Sequence, residues 1–157
     1  MENIQNPSEK YRKMQEKFNL PHLNELKNRF RLDIEPDEEI FEQIRSEISD
    51  RIFNFTEKII EPLIGLSDCL SSLYEQSMIT DPERNNLFDL YKKIQVLKWE
   101  NSLLIIHPDE SKNAEWIKKT WELWDGELEG KLTKLCRKMS LEWKILRFEE
   151  EKENYHG

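Results

Sequence analysis

The side chains that most often carry out acid–base or nucleophilic chemistry are few in this sequence and lie far apart. Its three histidines, His22, His107 and His156, are isolated from one another and from the two cysteines, Cys69 and Cys136. Zinc sites need clustered Cys and His ligands, and di-iron helical bundles need paired Glu-x-x-His segments, neither of which is present. The glycines are single and distant, so the chain has no glycine-rich phosphate-binding loop. We therefore expect no metal and no cofactor, and interpret both cysteines as small packing residues.

Acidic residues at the start of one predicted helix come closest to a catalytic pattern. The run Glu38-Glu39-Ile-Phe-Glu42, followed by Glu47-Ile-Ser-Asp50, is similar to the magnesium-binding pattern of the all-α nucleotide pyrophosphohydrolases. That resemblance implies a metal-dependent nucleotide hydrolase, in which acidic motifs on two separate helices bring four carboxylates to metal and triphosphate. Here the two motifs are so close that both fall on one helix and cannot face each other. We interpret the acids as an exposed face favoured by the helix dipole, and keep the hydrolase as the third hypothesis.

Polar residues interrupt the apolar stripes of two long predicted helices. Lys98 and Asn101 fall within about 40° of Ile94 on the helical wheel, and Glu142 lies about 40° from the stripe centre of the last helix. If these helices pack together, Lys98 and Glu142 could pair inside the bundle with Asn101 beside them. A buried charge must be paired or neutralised, so such a group would fix the helix register or form a site. The alternative is a Lys98 side chain that reaches solvent and a Glu142 at the stripe edge.

Basic residues are concentrated in the last predicted helix and in the N-terminal ones, although the net charge is −8. Lys131, Lys134 and Lys138 share one side of the last helix and are candidate phosphate contacts of a nucleic-acid-associated subunit. Other basic residues of this helix lie on its far side, which is more typical of a solvated surface. Net negative charge also argues against nucleic acid as the default partner. Nucleic-acid association is therefore the second hypothesis, and it predicts an affinity that falls steeply with salt.

Prolines and helix-capping residues divide the chain into segments whose apolar residues recur at helical spacing. We predict a polar, frayed stretch over 1–8, two short helices within 9–32, and a bundle of three long antiparallel helices over 37–152. The chain has only 4 glycines and a single valine, Val96, which argues against a β-sandwich, a barrel or an α/β sheet. The predicted fold is all-α, an elongated antiparallel bundle in a single domain, 1–157.

Two of the long helices contain a residue at which a change of direction is expected. The first carries one apolar stripe over 40–74, across Pro62, which predicts a kink and not a loop. The last, over 111–152, would be about 63 Å long if it were straight. A globular domain of this size is shorter than that. We therefore expect either a break at Gly126 or Gly130 or an elongated molecule.

A second apolar line accompanies the main stripe on two of the long helices. On the middle helix it consists of Phe88, Trp99 and Ile106. Helices with two apolar lines pack against two neighbours at once, and tryptophan on a helix surface is common at interaction hot spots. The alternative places both Trp99 and the tryptophan of the last helix inside a larger bundle. The candidate partner contacts are Trp99, Trp116, Leu123, Leu141 and Phe148.

Taken together, these features predict a non-enzymatic interaction or assembly protein that forms a homodimer through its long helices. In a variant of this hypothesis, the long helices bind a different protein and not a second copy of the chain. An elongated bundle usually covers a protruding apolar stripe with a second copy. No apolar run approaches the roughly 18 residues that a membrane span requires, and the N-terminal residues contain no apolar signal segment. We therefore expect a cytoplasmic protein without a membrane partner.

Overall fold

The computed structural model describes residues 7–35 and 37–147, and within these ranges the chain is all-α, as predicted. A first π-helical segment, Thr56–Ile60, directly follows Phe55, and a second, Trp124–Leu128, directly follows Leu123. The α-helices are α1 (Pro7–Phe18), α2 (Leu23–Phe30), α3 (Ile40–Phe55), α4 (Glu61–Ile64), α5 (Leu70–Met78), α6 (Asp81–Ile106), α7 (Glu110–Leu123) and α8 (Glu129–Ile145).

The N-terminal helices pack on the bundle. The Tyr11 ring of α1 is buried and stacks on Phe41 of α3, with the ring centroids 5.6 Å apart. Its hydroxyl donates to the Pro21 carbonyl oxygen at 2.6 Å. Burial, and to a lesser extent the charge of Glu25, raises the pKa of this hydroxyl. Of the predicted frayed stretch over 1–8, the first six residues lie outside the described residues, and the last two begin α1.

The three long helical units run up, down and up, which confirms the predicted antiparallel order. α3 and α7 run in the same direction, because Arg45 meets Asn113 near one end and Phe55 stacks on Trp124 near the other. α6 returns between them in the opposite direction and reaches α7 through the short turn over 107–109. The fully buried side chains of these units include Ile40, Ile44, Ile48, Ile52, Leu90, Ile94, Ile117 and Leu128.

The first long helical unit ends earlier than predicted. It passes through Pro62 but stops at Ile64, and a loop over 65–69 separates it from α5. Gly65 is extended, with φ −96° and ψ 176°, and the serine and aspartate that follow it favour turns. The predicted kink is therefore a break, because an apolar spacing that keeps its phase does not by itself keep the backbone helical. The stripe residues beyond the break are exposed, namely Leu66, Leu70 and Leu73.

The last long helical unit is continuous from Glu110 to Ile145, a run of 36 residues. At 1.5 Å per residue this run is about 54 Å long. Gly126 lies inside the second π-helical segment and Gly130 lies in α8, so neither glycine breaks the helix. The π-helical turn instead rotates the side chains that follow it relative to those before it. The predicted break is therefore wrong, and the elongated alternative describes the chain.

The start of α6 is fixed by a capping box. Thr80 Oγ1 accepts the Glu83 backbone N–H at 3.3 Å, and the Glu83 carboxylate accepts the Thr80 backbone N–H at 3.5 Å. Thr80→Ala removes the cap, and we expect it to lower the free energy of unfolding by about 1 kcal/mol. Urea denaturation measures this loss. The matched control is Thr133→Ala on the exposed side of α8, which should change stability by less than about 0.5 kcal/mol; equal losses would contradict a special role for the cap.

Candidate functional site

The outer face of α6 is apolar and exposed. Val96, Trp99, Leu103 and Ile106 recur at spacings of three and four residues, so they form one line along the helix. Their exposed fractions are 58, 68, 60 and 66%. Phe88, which is 49% exposed, extends the same line toward the start of the helix. These five residues are named the outer stripe.

The outer stripe is long for the surface of a soluble monomer. Over 88–106 it extends about 27 Å along the helix. An aromatic side chain contributes roughly 150–250 Å² when it is buried, so Trp99 and Phe88 alone expose roughly 200–300 Å². Contiguous apolar patches above a few hundred Å² mark interaction sites. The second apolar line predicted for this helix is therefore at the surface. That a partner covers it is still a prediction.

The other predicted partner contacts lie in three different settings. Trp116 is in the core, where it is 2% exposed and its Nε1–H donates to the Leu97 carbonyl oxygen at 2.9 Å. The prediction that Trp116 meets a partner is wrong, because α7 packs against α6 and buries this side chain between them. Leu123 is half-buried against the same core. Leu141 is exposed, and Phe148 lies outside the described residues.

A groove beside the outer stripe separates the end of α6 from the start of α7. Its volume is about 300 Å³, and Leu103 and Leu104 line it together with one face of Trp116. Charged side chains also line it, and two of them, Lys119 and Glu100, form an ion pair at 3.2 Å. Apolar surface bordered by paired charges resembles the arrangement of a protein interface, with an apolar centre and a polar rim.

A buried polar group around Asn101 exists, but with partners other than those predicted. The Arg45 guanidinium of α3 donates from Nε to Asn113 Oδ1 of α7 at 2.6 Å and from Nη1 to Asn101 Oδ1 of α6. The three side chains are 6, 1 and 8% exposed, respectively. Burial lowers the pKa of the guanidinium, and the charge of Glu42 partly offsets this. One arginine thus joins the three long helical units.

Lys98 and Glu142, the predicted ion pair, lie toward opposite ends of the bundle. Lys98 is exposed, and the residue before it accepts the hydrogen bond of Trp116. Glu142 is half-buried, and the residue after it donates to Glu75 of α5. The antiparallel packing of α6 and α8 brings residue 83 beside residue 138, which leaves Lys98 far from Glu142. The alternative, a Lys98 side chain in solvent, is what the structure has.

Arg45 was missed because it lies about 60° from the centre of the α3 stripe on the helical wheel. Its neighbours in the sequence give a usable signal, since it follows Ile44 directly and precedes Ile48 by three residues. A basic residue so close to the centre of an apolar stripe is a candidate for burial. Its two amide partners come from helices that the sequence of α3 does not specify.

The three candidate phosphate contacts do share one groove. Lys131, Lys134 and Lys138 line a cavity of about 480 Å³ between α6 and α8. Lys138 Nζ pairs with Glu83 at 2.7 Å, and Lys131 pairs with Glu127 one turn away. The Lys138 hydrogen bond is also the main cause that lowers the pKa of Glu83. Two of the three ammonium groups therefore have a carboxylate partner within the chain already.

The acidic residues that resemble a magnesium site do not converge. Among the described residues, no three His, Cys, Asp or Glu side chains form a group that could hold a metal ion. Glu39 is the N-cap of α3 and Glu42 lies in its first turn, as the spacing predicts. Glu47, from the second acidic motif, accepts the Asp33 backbone N–H at 2.9 Å. The two motifs thus lie along one helix and do not face each other.

Both cysteines are exposed, so their interpretation as packing residues is wrong. Cys69 is the N-cap of α5, and its Sγ lies 3.1 Å from the Ser71 hydroxyl. The Ser71 hydroxyl, followed by the backbone N–H groups of Ser72 and Ser71, lowers the pKa of the Cys69 thiol. The loop over 65–69, which the sequence did not predict, is what brings this cysteine to the surface.

Cys69 should react with alkylating reagents faster than a thiol of ordinary pKa, because the thiolate is the nucleophile. At neutral pH we expect iodoacetamide to modify Cys69 several-fold faster than Cys136, as followed by peptide mass spectrometry. The advantage of Cys69 should shrink as the pH rises, because its lowered pKa matters less once thiolates form readily. Ser71→Ala should slow the reaction of Cys69 and leave that of Cys136 unchanged. Equal rates for the two cysteines at neutral pH would contradict the prediction.

The outer stripe is the feature of the structure from which a function is argued, because comparison with known proteins identifies no relative. A scan against protein-family models finds no match, and searches of the curated proteins and of the solved structures find none either. Within the described ranges, every helix is too short or too polar to cross a membrane.

Proposed function

We propose that the protein is a non-enzymatic assembly protein that pairs with a second copy of itself through the outer stripe. The observation that supports this most is Trp99, which is 68% exposed in the middle of an apolar line. Covering such a line is favourable by about 25 cal/mol for each Å² of apolar surface removed from water. Central tryptophans often contribute most of the binding energy of an interface.

The spacing of the outer stripe fits an antiparallel pair of α6 helices. A twofold axis between Val96 and Trp99 would place each Val96 against the partner's Trp99. The same axis would bring Phe88 close to the partner's Ile106, because the two residues lie at similar distances on either side of it. A twofold contact of this kind uses one surface twice and closes at the dimer.

One helix pair is a small interface, and the groove beside it provides more area. Stable protein interfaces bury roughly 800 Å² on each partner, more than a single helix face supplies. The groove between α6 and α7 shares Leu103 with the outer stripe. A second copy that covers the stripe would therefore extend onto α7, where the stems of Lys112 and Lys119 line the same groove.

The proposal includes a cytoplasmic location. Both cysteines are unpaired and exposed among the described residues. Free surface thiols suit a reducing compartment, because an oxidising one converts them to disulfides. Exposed thiols can also form disulfides between chains in air. The mass measurements are therefore made with a reductant present.

Light scattering coupled to a sizing column tests the proposal at low and at high salt. We expect a particle of about twice the chain mass of 19.1 kDa at both salt concentrations. At moderate concentrations salt screens the interaction between exposed charges that lie more than about 10 Å apart, but it does not weaken apolar contacts. A particle of the chain mass at all protein concentrations would contradict self-association, and a dimer lost at high salt would contradict an apolar interface.

A further inference from the structure

A cavity of about 340 Å³ lies where α2 ends, between α3 and the second π-helical segment. Its volume is at the lower end of the range of small-molecule sites. The residues that line it are mainly of two kinds, arginines and aromatic rings. They include Arg29, Arg31, Arg51, Phe30, Phe55 and Trp124, and one carboxylate, that of Glu129, also lines the cavity.

Two of the three arginines have no counter-charge. Arg29 pairs with Asp125 at 2.8 Å and with Glu129 at 2.6 Å. None of the ion pairs among the described residues includes Arg31 or Arg51. Arg51 Nη2 donates to the Arg31 carbonyl oxygen at 2.7 Å, which keeps the two residues adjacent. Arg31 and Arg51 both line the cavity, so an anion bound there would interact favourably with each of the two positive charges.

The aromatic wall contains a donor that has no acceptor. Trp124 Nε1 is shielded from solvent and has no hydrogen-bond partner among the described residues. The Trp124 ring stacks on Phe55 at 5.9 Å and lies against Phe30 at 5.5 Å. Buried N–H groups nearly always have an acceptor. This N–H is an unpaired donor within the wall of the cavity, and what the wall offers a ligand is its aromatic surface.

The backbone around the cavity is also unusual. Arg31 adopts the left-handed conformation, with φ 51° and ψ 49°, at the C-terminal end of α2. Glycine fits this conformation best, and an arginine there gives up conformational stability. The second π-helical segment borders the cavity, since it begins at Trp124, and Phe55 lies directly before the first. Single π-helical turns are frequent at functional sites.

We propose that this cavity binds a small phosphate monoester that carries a planar ring, the chemistry shared by the nucleoside monophosphates. The guanidinium planes of Arg31 and Arg51 match phosphate oxygens with paired hydrogen bonds. A phosphate offers three acceptor oxygens, enough for two guanidinium groups, whereas a carboxylate offers two. The planar ring of the ligand packs on Phe55 and Trp124, which an inorganic phosphate leaves uncovered.

Calorimetric titration of the full chain tests the proposal. The titrants are the four common nucleoside monophosphates, the matching nucleosides and inorganic phosphate. We expect at least one monophosphate to bind about tenfold or more tightly than its nucleoside and than phosphate alone. Arg31→Gln and Arg51→Gln should each weaken that binding by about tenfold. Phe55→Leu keeps an apolar side chain but removes a ring that lines the cavity, and should weaken binding several-fold.

Arg12→Gln is the matched control, because Arg12 is exposed on α1 and does not line the cavity. It should leave the affinity unchanged. An equal loss for Arg12→Gln and Arg51→Gln would mean that overall charge attracts the ligand, which overturns the proposal. So would the absence of binding by every monophosphate, or binding of an oligonucleotide without any mononucleotide. The Arg31 guanidinium forms no ion pair within the described residues. If Arg31→Gln leaves the thermal unfolding midpoint unchanged, the lower affinity of this variant reports on binding and not on stability.

Discussion

Arg45→Met is expected to lower the free energy of unfolding by about 3 kcal/mol. The substitution keeps a linear side chain but removes the charged donor to two buried amide oxygens, those of Asn101 and Asn113. A buried acceptor that loses its partner costs about 1–3 kcal/mol, and two acceptors are affected here. Urea denaturation followed by circular dichroism measures the loss through the transition midpoint and slope.

Two further variants separate the hydrogen bonds of Arg45 from its charge and size. Arg137→Met on the exposed side of α8 is the matched control and should change stability by less than about 0.5 kcal/mol. A triple variant, Arg45→Met with Asn101→Leu and Asn113→Leu, replaces the whole polar group by apolar side chains. Such replacements are often tolerated, so we expect the triple variant to recover much of the loss. A triple variant as unstable as Arg45→Met would contradict this account of the buried group.

Trp99→Ala is expected to weaken self-association by about 2 kcal/mol or more, which is a factor of about 30 in Kd. The indole is the largest side chain of the outer stripe and would lie beside the twofold axis, so it would be buried by both copies. Sedimentation velocity over a range of protein concentrations gives the Kd. Ile105→Ala is the matched control, because Ile105 is 63% exposed on the same helix but lies outside the outer stripe. Equal effects of the two substitutions would contradict the assignment of the interface.

The buried faces of the long helices could be predicted because helical periodicity is a local property of the sequence. Ile48 and Ile94 repeat with their neighbours at helical spacing, and both are fully buried. The exposed line through Trp99 follows from the same periodicity, since it lies on the side of α6 opposite Ile94. The sequence alone therefore indicates that α6 has two apolar faces.

Features that depend on neighbouring helices could not be predicted in the same way. Trp116 and Trp99 both lie off the main stripes, and only the packing of α7 on α6 decides that Trp116 is covered. The partner of Asn101 is Arg45 of α3, which also bonds Asn113 of α7, so no pattern within α6 identifies this group. The break at Gly65 was missed for a different reason, because the apolar spacing continues in phase across the loop.

The central claim is that the outer stripe, and not exposed apolar surface in general, joins two copies of the chain. Leu103→Glu and Ile105→Glu test it most directly, because both residues lie on α6 and are 60 and 63% exposed. A charge inside the stripe must be desolvated in the dimer, whereas a charge beside it stays in water. Light scattering on a sizing column should give the mass of one chain for Leu103→Glu and of two chains for Ile105→Glu. The same mass for both variants would contradict the claim.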